Sequence, residues 1–77
     1  MKRNDIVILI TTRHGISRNN PVHASEYACE GTITEVKDQA REGALNIYVS
    51  WDNGECNTYD ETDLQLVNES MNYKSIW

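Results

Sequence analysis

The stretch from Asn46 to Tyr59, NIYVSWDNGECNTY, leaves this chain the least freedom. Ile47, Val49 and Trp51 alternate with Asn46, Tyr48 and Ser50, the period of two that gives a strand one buried face. Asp52-Asn53-Gly54 follows at once, and Asn and Gly tolerate the positive φ that a tight hairpin turn needs. Glu55 to Tyr59 reads as the returning strand. A lone hairpin is marginal in water, so the remaining chain must supply strands that cover it. The pattern leaves open whether the connecting loop has two or three residues. A one-residue change of register exchanges which of Cys56 and Asn57 faces inward.

With 77 residues the chain makes one domain, near the lower limit for a self-sufficient core. There is room for a small barrel or sandwich and little for a deep substrate cleft. No run approaches the ~18 apolar residues of a membrane span. Ile6 to Ile10, IVILI, is too short for a signal-peptide core and ends in Thr-Thr without a cleavage pattern. The expectation is a cytoplasmic protein that does not enter a membrane. Cys29 and Cys56 make no disulfide framework and are expected as reduced, half-buried small apolar residues.

Read in order, Asp5–Thr12 is the first strand, its continuous apolar run suiting a strand covered on both faces. Arg13–Tyr27, RHGISRNNPVHASEY, is a long irregular loop, and Pro21 biases Asn20 away from helix. Loops of this length in a compact domain are uncommon and tend to carry function. Ala28–Val36 is a second strand, in which Gly31 and the three-residue step from Ile33 to Val36 point to a bulge. A polar connection, 37–45, leads to the hairpin. Asp60–Asp63 reads as one helical turn with Asp60 as its cap, and Leu64–Val67 as a short closing strand. The reading is all-β: a small five-stranded SH3-like barrel over 1–67, with a long first loop and a helical turn before the last strand. A tail, 68–77, follows, with Trp77 expected to dock on the barrel or on another copy.

Gly31-Thr32-Ile33, Val49-Ser50-Trp51-Asp52-Asn53-Gly54, Asn57, Tyr59 and Asp63-Leu64 together resemble the pattern of SH3-like modules of the MIB/HERC and KOW/Tudor types. With His14-Gly15 and Asn19-Asn20-Pro21 in the polar loop, the chain also looks like small proteins of tailed phages. The resemblance spans roughly residues 3 to 67. It implies a binding module without catalysis, whose ligands range from peptides to nucleoprotein surfaces. A methyl-lysine cage needs converging aromatics, and the loop supplies only Tyr27.

Charge is uneven along the chain. Residues 1–26 hold four Lys or Arg against two acids, whereas the rest holds three against ten, for a net −5. An acidic domain is a poor general binder of phosphate backbones. The loop nevertheless gathers Arg13, His14, Arg18, Asn19, Asn20 and His23 within a short span, cations and amides suited to recognising an anion or a peptide. Tyr27 and the outward-facing Tyr48 are candidates to extend that surface, with Tyr59 as a further member of an aromatic patch. These eight residues, Arg13, His14, Arg18, Asn19, Asn20, His23, Tyr27 and Tyr48, form the candidate partner-binding set. Asp52, Glu55, Asp60, Glu61 and Asp63 read as a solvated acidic face, with imitation of DNA phosphates as a sharper alternative.

Metal and catalytic readings find little support. His14, His23, Cys29 and Cys56 are spaced nine, six and twenty-seven residues apart, unlike any close-paired ligand motif. Nothing places a cysteine where its pKa would fall, or a carboxyl in an apolar pocket. No cofactor is expected. The expectation is a non-catalytic, phage-type module, monomeric or weakly dimeric, that binds a protein through the 13–27 loop. The alternatives are a nucleic-acid contact through Lys2, Arg3, Arg13 and Arg18, or an acidic mimic of DNA.

Overall fold

The computed structural model describes residues 1–37 and 46–67. The 38–45 part of the polar connection and the 68–77 tail, with the expected docking of Trp77, lie outside the described residues. The described residues form five strands: β1 (Ile6–Leu9), β2 (Gly31–Val36), β3 (Ile47–Trp51), β4 (Cys56–Tyr59) and β5 (Leu64–Leu66). A single 3-10 turn, Glu61–Asp63, precedes β5. All pairings between these strands are antiparallel, and the sheet order is β4-β3-β2-β1-β5, so the last strand returns to lie beside the first.

The alternation in β3 is realised as read: Ile47, Val49 and Trp51 are buried, Tyr48 and Ser50 exposed. Gly54 N–H donates to Trp51 O at 3.0 Å and Trp51 N–H to Glu55 O at 2.7 Å, which closes a three-residue loop. The left-handed position in that loop belongs to Gly54, at φ +92°. Asn53 stays at negative φ and contributes through its side chain instead. The resulting register pairs Val49 with Asn57 and Ile47 with Tyr59, turning Asn57 and Tyr59 toward the inner face. Cys56, opposite Ser50, faces out and is exposed, contrary to the half-buried position expected of it. Cys29 is half-buried against the core.

Two strands depart from expectation. In β1 only Val7 and Leu9 are buried, Ile6 and Ile8 are half-buried, and Ile10 lies beyond the strand with 46 % exposure. One small sheet has one core, so an apolar run cannot have both faces filled. Gly31 opens β2 rather than bulging it. Its cross-strand neighbour is Trp51, and a Cβ at Gly31 would stand 2.5 Å from the Trp51 ring and 2.6 Å from Val49 Cγ1. The glycine therefore admits the indole. The bulge falls between Ile33 and Glu35, where it restores Val36 to a position opposite Ile47.

The core comprises Val7, Leu9, Val22, Ile33, Ile47, Val49, Trp51, Tyr59 and Leu64. Val22 comes from the long loop, so that loop is part of the folded body. Strand β4 ends the sheet, and Thr58 N–H on it is satisfied by Asn57 Oδ1 at 2.9 Å. A side chain that occupies a ladder donor blunts the edge against pairing with another chain.

Candidate functional site

Segment 11–23 folds back over the inner face of the sheet. Val22 bridges to Leu9 in parallel, and His23 N–H donates to Leu9 O at 2.8 Å. Ser17 and Asn20 exchange backbone hydrogen bonds of 3.2 and 3.0 Å, making a tight turn with Arg18 and Asn19 at its tip. Pro21 is buried next to this turn. Its fixed φ stiffens the chain where it enters the core.

Side chains from the second half of the sequence hold the loop, with Asp63 and Tyr59 as the two main anchors. The first is Asp63, whose side chain is 0 % exposed. Its Oδ1 accepts from Thr11 Oγ1 at 2.6 Å and Arg13 Nε at 2.7 Å. Its Oδ2 accepts from Arg13 Nη2 at 2.9 Å, His14 Nε2 at 2.9 Å and the Asp60 amide at 3.1 Å. A carboxylate accepts only, so the proton in the His14 contact sits on Nε2. The fork of the guanidinium matches the two oxygens, the strong geometry for such a pair. Burial pushes the Asp63 carboxyl up, but the hydrogen bonds from Arg13, Thr11, His14 and the Asp60 amide outweigh it, holding the group well below the usual carboxylate range. The bond to the Asp60 amide also closes the 3-10 turn. Asp60 sits at the cap position, and its own carboxylate takes the Thr62 hydroxyl at 2.6 Å.

The second anchor is Tyr59, buried and in edge-on contact with Trp51 and with His14, each at 5.6 Å between centroids. Trp51 Nε1–H donates to the Tyr59 hydroxyl at 3.1 Å. That hydroxyl in turn faces Asn19 O at 2.8 Å and Asn20 Oδ1 at 2.9 Å, sharing one proton between them. Asn57 Nδ2 donates to the same two acceptors at 3.2 and 2.9 Å. Asn20 Nδ2 returns the chain to His14 O at 3.0 Å. Burial raises the Tyr59 hydroxyl above its usual range, opposed by the bond from Trp51, and it stays a neutral donor. A third tie comes from the hairpin loop: Asn53 Nδ2 donates to Arg18 O at 2.9 Å, while Asn53 Oδ1 accepts Glu55 N–H at 2.9 Å.

The eight candidate residues thus separate by direction. Arg13 and His14 are spent on Asp63, and Asn20 on Tyr59, Asn57 and His14. Asn19 contributes its carbonyl to the same network. Arg18, His23, Tyr27 and Tyr48 are exposed, as are Asn19 and the outer half of Arg13. Tyr48 lies on the outer face of β3, with Lys37 Nζ 5.7 Å from its ring centroid. Tyr59 is a core residue and drops out of the surface aromatic patch, because the three-residue hairpin loop turns it inward. Asp63 likewise leaves the acidic face. Its neutralising partners sit 49 to 52 positions earlier in the chain, so nothing local marks it for burial.

Sequence reasoning also missed Ile16, which is 51 % exposed beside the Ser17–Asn20 turn. The signal was there in part: Ile16 and Val22 are the two large aliphatic side chains in a mostly polar loop.

Asp63 has every acceptor direction filled and a depressed pKa, so it is no proton acceptor for chemistry near neutral pH. Among the described residues no group of three or more His, Cys, Asp or Glu side chains is placed to hold a metal ion. Among them, too, no helix is long and apolar enough to cross a membrane. No family model, curated protein or solved structure matches the chain.

Proposed function

We propose that the chain is a non-catalytic binding module of SH3-like type, whose 13–27 loop docks a protein partner. One observation carries the reading: the loop is held from within by distant side chains, while Ile16, Arg18 and Tyr27 stand on its surface. Arg13, His14 and Asn20 are consumed by the Asp63 and Tyr59 networks, while Ile16, Arg18 and Tyr27 are left on the surface. A loop already held in place loses little freedom on binding, which favours affinity. The return of β5 to β1 and the 3-10 turn before it support the SH3-like comparison. The likeness to small phage proteins makes a bacterial host protein the first partner to seek. Two free cysteines fit a reducing cytoplasm, and the blunted β4 edge fits a monomer.

The nucleic-acid reading is weakened by the same geometry. Asp63 neutralises Arg13 and engages His14, leaving Arg18 as the loop's cation without an ion-pair partner among the described residues. The experiment is capture from bacterial lysate on the immobilised chain, wild type beside Ile16→Ser/Tyr27→Ala, with and without nuclease and across a salt series. The expected result is a protein retained after nuclease, lost by the variant and insensitive to salt. Recovery of nuclease-sensitive material alone, falling steeply with salt, would move the nucleic-acid reading ahead.

A further inference from the structure

The Asn53-Gly54 pair closes the hairpin and, through Asn53, holds the tip of the long loop. We propose that Asn53 is a site of spontaneous deamidation, and that its conversion is a one-way release of the loop tip. This stands independently of what the loop binds.

The chemistry needs only water. The Gly54 backbone nitrogen, losing its proton, attacks Asn53 Cγ. The side-chain nitrogen leaves as ammonia, and a cyclic succinimide closes. Water then opens the ring at one of its two carbonyls, giving aspartate or isoaspartate at position 53, with no oxidation or reduction. Glycine is the residue that least shields the attacking nitrogen. Gly54 is exposed, and nothing lies within 4 Å of where a Cβ would stand.

The fold supplies the consequence. Asn53 Nδ2 donates to Arg18 O across 35 positions of sequence, and Oδ1 accepts from Glu55 N–H within the hairpin loop. A carboxylate at position 53 still accepts from Glu55, so the hairpin loop keeps its own bond. Toward Arg18 an acceptor then meets an acceptor, and the tie to the loop is lost. Isoaspartate also lengthens the main chain between β3 and β4. The closed tie restrains Asn53 as well, since Gly54 N–H is engaged with Trp51 O at 3.0 Å, so conversion waits on opening of the turn.

The bond from Arg18 to Asn19 is a trypsin site, and its carbonyl is the one Asn53 holds. The full chain is aged at neutral pH, position 53 is followed by peptide mass mapping, and cleavage after Arg18 is timed in aged and fresh protein. The expected result is conversion concentrated at Asn53, with cleavage after Arg18 about tenfold faster in converted molecules, the effect of one lost hydrogen bond on the open population. Asn53→Asp should reproduce the faster cleavage without ageing. Asn53→Ala, which removes the tie but cannot deamidate, should cleave faster and gain no mass at that position. If position 53 stays intact while an unstructured peptide of the same sequence converts, the site is refuted. If converted protein and both variants cleave at the wild-type rate, the release is refuted.

Discussion

Asp63 is one of twelve acids in the chain and the one charged side chain fully buried among the described residues. An isolated carboxylate there would be strongly unfavourable, and its position is tolerable because donors from residues 11–14 and from Asp60 fill both oxygens. Removing its charge strands those donors. Asp63→Asn is expected to destabilise the fold by about 3 kcal/mol at neutral pH, read by urea denaturation. The pH dependence has a definite sign. A carboxyl whose folded pKa lies below its unfolded value of about 3.9 contributes fully above that value and loses the contribution as pH falls through the folded one. The stability gap between wild type and Asp63→Asn should therefore narrow as the solution is acidified below about pH 4. A gap that stays constant into acid would mean that Asp63 is not held as a carboxylate by its partners.

At the scale of elements, the long loop is tied down at Asp63, Tyr59 and Asn53, each from beyond β3. Tyr59→Phe removes the hydroxyl that joins Trp51 to the loop and leaves the Trp51 indole N–H without its acceptor. The expected cost is about 1–2 kcal/mol, with the far-UV spectrum of the sheet unchanged. A neutral substitution would show that the Tyr59 hydroxyl adds nothing to the hold of Asp63, Asn53 and the packing of Val22 and Pro21. The elements differ in how far the sequence announces them. The hairpin was legible because alternation and Asn-Gly are local signals, and only its loop length needed the structure. The bulge in β2 was legible from the Ile33–Val36 step, although Gly31 turned out to make room for Trp51. The roles of Arg13, His14 and Asn20 were not legible, because a polar side chain looks alike whether it faces solvent or a partner brought from 37 to 50 residues away, Asp63 for the first two and Tyr59 and Asn57 for the third. The apolar run of β1 misled for a related reason: composition does not say which face lacks a cover.

For the whole molecule, the sheet, the loop and the 3-10 turn make one body in which the longest irregular segment is also the most heavily bonded to distant residues. That arrangement sets a heavily bonded loop, with Ile16, Arg18 and Tyr27 on its surface, on an acidic domain, and the binding proposal depends on the loop being held. Native-state amide hydrogen exchange measures it directly. Ser17, Asn20 and His23, whose amides donate to Asn20 O, Ser17 O and Leu9 O, are to be compared with Ile33, whose amide donates to Asp5 O beside the core. The expected result is protection of the three loop amides within about tenfold of Ile33, because the loop opens only with the body. Exchange of the loop amides at the rate of an unstructured chain, while Ile33 stays protected, would contradict the account: the loop would then be a mobile connection, and its exposed side chains no preformed surface.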